Sequence, residues 1–288
     1  MGGSRIGDPR RTVAVLFIFC VLVIGIALIV VEYSRKPELT GLLIDLELGG
    51  PDPGRYKDLR EAFTHRLPQD VADLKHADVR LEYLHFMSAT GDRLNSRAVD
   101  FILLSPQGTP WYRYLGEAGA KLDLLKAEIR DLILNRTKPV LGVCGGHQFL
   151  ALAFGGTVDF IDPRFQGNYP GSYPPDAVAE RGLVRLQILR DDPIFRGVAP
   201  FPGSFSVVES HYEEVKSVPK PFVNLAASDQ SEVQLIRIPG LPVYGTAFHP
   251  ERDLPGSNGT SRMPQSGRRI LANFLTMVVG HKSGSAGW

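Results

Sequence analysis

The run Lys138-Pro-Val-Leu-Gly-Val143, then Cys144-Gly-Gly-His-Gln148, then Phe149-Leu-Ala-Leu-Ala-Phe154 is compatible with few folds. An apolar strand, a thiol set among glycines and an apolar helical stretch follow one another with no residues left for a loop. Such a strand-to-helix turn is a nucleophile elbow: the glycines admit strained dihedrals, and the sulfur stands at the carboxyl edge of a sheet. The helix N-terminus beneath the sulfur is expected to lower its pKa and favour thiolate. The bland alternative is a buried structural cysteine, and the flanking glycines argue against it.

A thiol needs a base, a group that orients the base, and donors for an oxyanion. Val243-Tyr-Gly-Thr-Ala-Phe-His249-Pro-Glu251 ends a β-rich run in a histidine, with an acid two positions later. Pro250 fixes the turn, and the spacing lets Glu251 fold back on the imidazole and hold one tautomer. Alone, His-Pro-Glu could be a loop histidine beside a solvated acid. With the elbow upstream it completes a Cys–His–Glu set.

On these residues the sequence resembles the class-I glutamine amidotransferase family. Gly142 to Gln148 meets the family's G-[hydrophobic]-C-x-G-x-Q pattern, and Phe248-His-Pro-Glu251 its terminal F-H-P-E. Gly155-Gly-Thr-Val158, Asp192-Pro-Ile-Phe-Arg-Gly197, Glu209-Ser-His-Tyr-Glu-Glu-Val215 and Asp100-Phe-Ile-Leu-Leu-Ser105 extend the likeness, which runs from about Leu42 to Met277. The resemblance implies Cys144 as nucleophile, His249 as base, Glu251 as its orienter, a γ-glutamyl thioester, and ammonia released from glutamine. It also implies substrate contacts from Gln148 and, largely through backbone groups, from Ser210 and His211.

The chain departs from the family at the oxyanion loop. S-G-G-P or S-x-G-P is usual; here the residues are Ser105-Pro-Gln-Gly-Thr-Pro110. Proline has no N–H to donate, so the hole is expected to use Gln107 or Gly108 with Gly145. Ala247 also stands where the family often has Gln.

Strand-helix alternation up to the elbow implies an α/β three-layer sandwich, flavodoxin-like, with a mainly parallel sheet covered on both faces. Strands are expected at 41–46, 79–84 and 99–104, and helices at 56–66 and 114–134, the latter with Leu122, Leu124, Leu125, Ile129, Leu132 and Ile133 at helical spacing. After the elbow helix, strands and turns follow at 183–188, 205–208, 222–226, 233–238 and 243–248, and a last helix at 268–279. The Pro/Gly/Tyr-rich stretch 162–176 is incompatible with a helix. It is either a surface loop or a cover that brings Tyr169 or Tyr173 to the substrate.

Val13 to Val31 carries no charged or hydrogen-bonding side chain and matches the ~20 residues that span a bilayer's hydrocarbon core. It exceeds a signal peptide's apolar region and lacks an A-x-A-like cleavage site. The expected organisation is a tail (1–12), a transmembrane helix (13–31), a linker (32–39), the amidotransferase-like domain (40–280) and a flexible tail (281–288). Arg5, Arg10 and Arg11 before the span, against Arg35 and Lys36 after it, favour an inside N-terminus and an outside domain. The resemblance, to cytosolic enzymes, points the opposite way.

A net charge of +1 over 288 residues gives no footprint for nucleic acid. The two cysteines, Cys20 in the apolar span and Cys144 in the elbow, exclude a disulfide scaffold. His65, His76, His85, His147 and His281 show no metal spacing, so neither metal nor cofactor is expected; His147 reads as a helix-face residue. Three functions compete. The first is a membrane-anchored glutaminase-type amidotransferase, acting on glutamine and passing ammonia to a separate synthase. The second is a stand-alone hydrolase of γ-glutamyl amides or peptides. The third, a non-catalytic sensor, is opposed by the intact triad.

Overall fold

The computed structural model describes residues 38–67, 78–136, 138–170, 172–252 and 264–284. Contacts divide the chain into two units, Met1–Pro37 and Glu38–Trp288, and the described residues all belong to the second. The expected span at 13–31 and the tail before it lie outside the described residues. Among the described residues, no helix is long and apolar enough to cross a membrane.

The first strand, β1 (Glu38–Asp45), begins inside the expected linker, so the folded unit starts two residues earlier than the motif pattern suggested. There follow α1 (Lys57–Glu61, continued by a π turn, Ala62–Arg66), β2 (Asp78–His85), the short α2 (Gly91–Leu94), β3 (Phe101–Leu104) and α3 (Gly116–Arg136). The elbow region is β4 (Val140–Val143) and α4 (Gly145–Ala153). Beyond it lie β5 (Thr157–Phe160), β6 (Glu180–Ile188), β7 (Ser204–His211), β8 (Glu213–Ser217), β9 (Val223–Ala227), β10 (Leu235–Arg237) and β11 (Val243–Thr246). The last helix, α5 (Gln265–Lys282), runs into the expected tail. The sequence pattern did not announce β5 and β8, which pair with each other in a small separate sheet.

The nine-stranded sheet has the order β2-β1-β3-β4-β11-β10-β9-β6-β7. β2, β1, β3, β4 and β11 are mutually parallel, and the rest continue antiparallel. The inner parallel strands β3, β4 and β11 are buried on both sides, which is why they read as continuous apolar runs, whereas the edge strand β2 alternates buried and exposed residues. Within β3, Phe101 and Leu103 join one core with α1 and α5, whereas Ile102 and Leu104 join the opposite core with α3 and α4. Each large side chain removed from water there contributes roughly 1.5–3 kcal/mol. Leu124 departs from the expected core stripe of α3: it is 61% exposed, on the solvent side of the helix.

Candidate active site

Because β3, β4 and β11 are parallel neighbours, the loops that leave their carboxyl ends emerge side by side. Open α/β sheets bind ligands at that edge. A cavity of about 420 Å³ lies there, lined by Gln107, Gly108, Cys144, Gln148, Ser210, His211, His249 and Glu251. Of the site residues read from the sequence, only Gly145 lies outside this lining.

Among the described residues, Cys144 is the one non-glycine residue with a positive φ, at φ 49° and ψ −102°. A conformation of this kind costs about 1–3 kcal/mol and persists only where its surroundings enforce it. Here the Cys144 N–H donates to the Thr246 carbonyl at 2.7 Å, tying the elbow to β11. The glycines beside it have a packing cause. A Cβ on Gly146 would lie 2.3 Å from the Leu104 carbonyl oxygen, and one on Gly145 would lie 2.9 Å from the Gln107 nitrogen. Only hydrogens let α4 tuck so closely under β3 and its loop.

The thiol overturns one expectation. Burial pushes it up to about 12; Glu209 adds to the rise, while Arg252 and the Gly145 N–H oppose it. Taking an anion out of water outweighs the partial charge of the helix end. The resting site therefore holds a thiol, and its proton must leave during attack.

An acceptor for that proton is in place. Glu251 Oε1 lies 2.8 Å from His249 Nδ1. An ionised carboxylate only accepts, so Nδ1 carries a proton and Nε2 keeps its lone pair in the neutral ring. Nε2 has no hydrogen-bond partner among the described residues. Burial pushes the His249 pKa below its ordinary value, against the pull of Glu251. The loop is fixed by the His249 N–H donating to the Val208 carbonyl at 2.8 Å. It is also fixed by α5, since a Cβ on Gly267 would fall 2.6 Å from the Pro250 carbonyl oxygen.

At the oxyanion loop, the Gly108 N–H donates to Glu47 Oε2 at 2.6 Å and is no longer on offer. Of the two expected donors that leaves Gln107, whose nitrogen approaches Gly145.

His211 is engaged more heavily than its expected backbone role required. Its Nδ1 faces the Glu213 carbonyl at 3.0 Å, and its Nε2 faces Glu180 Oε2 at 3.1 Å and Glu209 Oε2 at 3.2 Å. All of these are acceptors, so both ring nitrogens must carry protons. Burial opposes that charge, but Glu209 and Glu180 hold the imidazolium pKa up at about 10. Glu180, Glu209 and His211 place their ligand atoms within 4.8 Å of one another, a gathering that no spacing announced. The geometry fills the cluster with a proton: Glu180 also accepts from Ser228 and Gln234.

Several charged walls of the cavity were not singled out from the sequence, namely Glu47, Arg55, Glu213 and Arg252. Burial pushes the Glu213 pKa up to about 7, against hydrogen bonds from the Tyr173 hydroxyl at 2.8 Å and from the Trp111 backbone. The Gln148 amide accepts from Trp111 Nε1 at 2.6 Å and donates to the Glu213 carbonyl at 2.7 Å, so it braces the wall as well as lining it. The described residues of the 162–176 stretch form no helix. Tyr173 enters the cavity lining, whereas Tyr169 stacks on Tyr112 with ring centroids 4.7 Å apart and stays 49% exposed. His147 does lie on a helix face, but a buried one, and burial pushes its pKa down to about 4.

The family described as glutamine amidotransferase class-I matches residues 57–267. The chain is 33% identical over 152 residues to one subunit of the glutamine-hydrolysing GMP synthase of Methanocaldococcus jannaschii, covering 53% of this chain and 66% of that one. It is 39% identical over 150 residues to the corresponding subunit from Methanopyrus kandleri, covering 51% and 66%. The matches thus span a little under two-thirds of these relatives' length. A crystal structure of a glutamine amidotransferase from Thermotoga maritima superposes with TM-score 0.55 at 18% identity, over 84% of this chain and 98% of that one, a likeness of fold.

Proposed function

Since the chain belongs to the class-I glutamine amidotransferase family, we propose that it hydrolyses the side-chain amide of glutamine through Cys144 and releases ammonia to a separate synthase. One observation carries this reading. A strained Cys144 shares a cavity with His249, whose Nδ1 is held by Glu251 and whose Nε2 has no hydrogen-bond partner among the described residues.

In the proposed reaction the sulfur attacks the carboxamide carbon while the thiol proton passes to His249 Nε2. The Gly145 and Gln107 N–H groups receive the developing oxyanion. His249 then protonates the leaving nitrogen, the C–N bond breaks, and ammonia departs from a γ-glutamyl thioester. Water, deprotonated by His249, attacks the thioester; glutamate leaves and the thiol is restored. Glu251 keeps the imidazole in one tautomer and balances its transient charge. Glu213 and Arg252 offer the opposite charges that a zwitterionic amino-acid end requires. The separate synthase follows from the relatives, which are named as one subunit of a glutamine-hydrolysing synthase.

The test uses the full chain with glutamine, measuring glutamate and ammonia, and a diazo-ketone glutamine analogue as a covalent probe. Release should occur and the probe should label Cys144. Both should vanish in Cys144→Ala, a loss of several orders of magnitude in rate. Labelling or activity that survives in that variant would overturn the assignment.

We further infer, from the sequence alone, that residues 13–31 anchor the chain in a bilayer. A spanning helix satisfies its backbone internally, so ionic strength has little to screen. The full chain should pellet with membranes and resist high salt and alkaline carbonate, yielding only to detergent. Extraction by carbonate would refute the anchor, and protease protection of intact vesicles reads which side carries Cys144.

A further inference from the structure

We propose that Glu47 is the positioning residue of the oxyanion loop: its carboxylate holds Gly108 and Thr109, and thereby turns the Gln107 N–H toward the oxyanion beside Gly145. The inference rests on the amidotransferase reading above.

The loop cannot supply its own geometry. Pro106 donates nothing, Pro110 closes its far end, and Gly108 is exposed. What holds it comes from the segment just beyond β1. Glu47 Oε2 takes the Gly108 N–H at 2.6 Å, and Glu47 Oε1 takes the Thr109 hydroxyl. One side chain thus grips two successive residues of a loop some sixty positions away.

Glu47 is itself held from two sides. Its N–H donates to Asp45 Oδ1 at 2.9 Å, and His85 Nε2 lies 2.9 Å from its carbonyl oxygen. Asp45, fully buried, also receives Arg55, Tyr56 and Tyr83. The Tyr56 hydroxyl lies 2.7 Å from Asp45 Oδ1 and 3.0 Å from the Pro106 carbonyl oxygen, linking this anchor to the front of the loop. The Ser105 hydroxyl donates to that same carbonyl at 2.7 Å and accepts the Leu46 N–H at 2.9 Å. The loop is therefore pinned at Ser105–Pro106 and again at Gly108–Thr109. Gln107 is the residue between the pins, and its nitrogen is the one that approaches Gly145.

Glu47 also lines the cavity, so a rival role is direct binding of the substrate's ammonium group. The two roles separate in steady-state kinetics on glutamine. As a clamp, Glu47→Ala lowers kcat by about 10- to 100-fold, part of the 10²–10³ that loss of an oxyanion donor brings, and leaves KM within a few-fold. Glu47→Gln keeps an acceptor for the Gly108 N–H and restores most of kcat. Thr109→Val frees one pin and gives an intermediate loss. Alkylation of Cys144 by iodoacetamide, which needs no oxyanion hole, proceeds at the wild-type rate in all three.

Wild-type kcat in Glu47→Ala, or a raised KM with intact kcat in Glu47→Gln, overturns the clamp while leaving the amidotransferase reading in place. Should the alanine variant fail to fold, the Gln and Thr109→Val variants decide the same question. A wild-type chain inert to glutamine brings down that reading, and the role given to Glu47 with it.

Discussion

At the residue scale the site sets a resting state of two neutral partners. The Cys144 thiol is pushed up to about 12 by burial and Glu209, and His249 is pushed below its ordinary value by burial. The base must be neutral to accept the proton, and its lowered pKa keeps it neutral into mildly acid solution. Accordingly, kcat/KM should fall along an acid limb whose midpoint lies below the ordinary imidazole value of 6.5. A midpoint at or above 6.5 in a pH–rate profile would show the burial argument to be wrong. His249→Ala should be nearly as damaging as Cys144→Ala, and Glu251→Gln milder, because the orienter never takes the proton. Glu209→Gln removes the charge that adds most to the effect of burial on the thiol. The pH midpoint of Cys144 alkylation should move downward in that variant, and an unmoved midpoint would remove Glu209 from the account.

At the element scale the elbow depends on how closely α4 approaches β3. A Cβ at Gly146 would sit 2.3 Å from the Leu104 carbonyl oxygen, which is backbone and cannot rotate away. Gly146→Ala should thus cost about 1–3 kcal/mol, the usual range for overpacking, read as a lower urea midpoint at unchanged slope. Equal midpoints would mean that the helix can shift without cost. His211 joins β6, β7 and β8 in another way, because its imidazolium stands between Glu180 and Glu209. His211→Ala leaves two buried carboxylates without their cation and should destabilise by about 3–5 kcal/mol. Urea unfolding tests this, and a variant as stable as wild type would show that the cluster is not charged as described.

At the scale of the whole molecule, buried histidines shape stability against pH in opposite senses. His147 is pushed down to about 4 from an ordinary 6.5. Its folded pKa is depressed, so its contribution is fully present above the unfolded value and is lost as pH falls through the folded one. The loss is on the order of 3 kcal/mol between pH 6.5 and 4, at 1.36 kcal/mol per unit. His211, held up at about 10, contributes fully below pH 6.5 and loses that contribution as pH rises through 10. Urea unfolding at pH 7.5 and 4.5 should show a smaller acid loss in His147→Leu than in wild type. Parallel losses would mean that His147 is not the residue being titrated.

The features legible in the sequence are those written over a few consecutive residues. β4, the elbow glycines and α4 show as an apolar run, a Gly-Cys-Gly turn and a second apolar run. The His249–Glu251 pairing shows because two residues on one turn need no help from the rest of the chain. The double-sided burial of β1 and β3 shows because it leaves no polar alternation. Three things needed distant residues to meet. The pKa of Cys144 rises because the closing walls remove water and the Glu209 charge lies near the sulfur, where the local helix end alone suggested a fall. The Gly108 N–H is taken because Glu47, just beyond the end of β1, accepts it. His211 is a fixed cation because β6 brings Glu180 beside it. Local pattern determined backbone path and residue type; burial and cross-strand proximity, which decide charge and hydrogen-bond partners, exist only once the sheet is assembled.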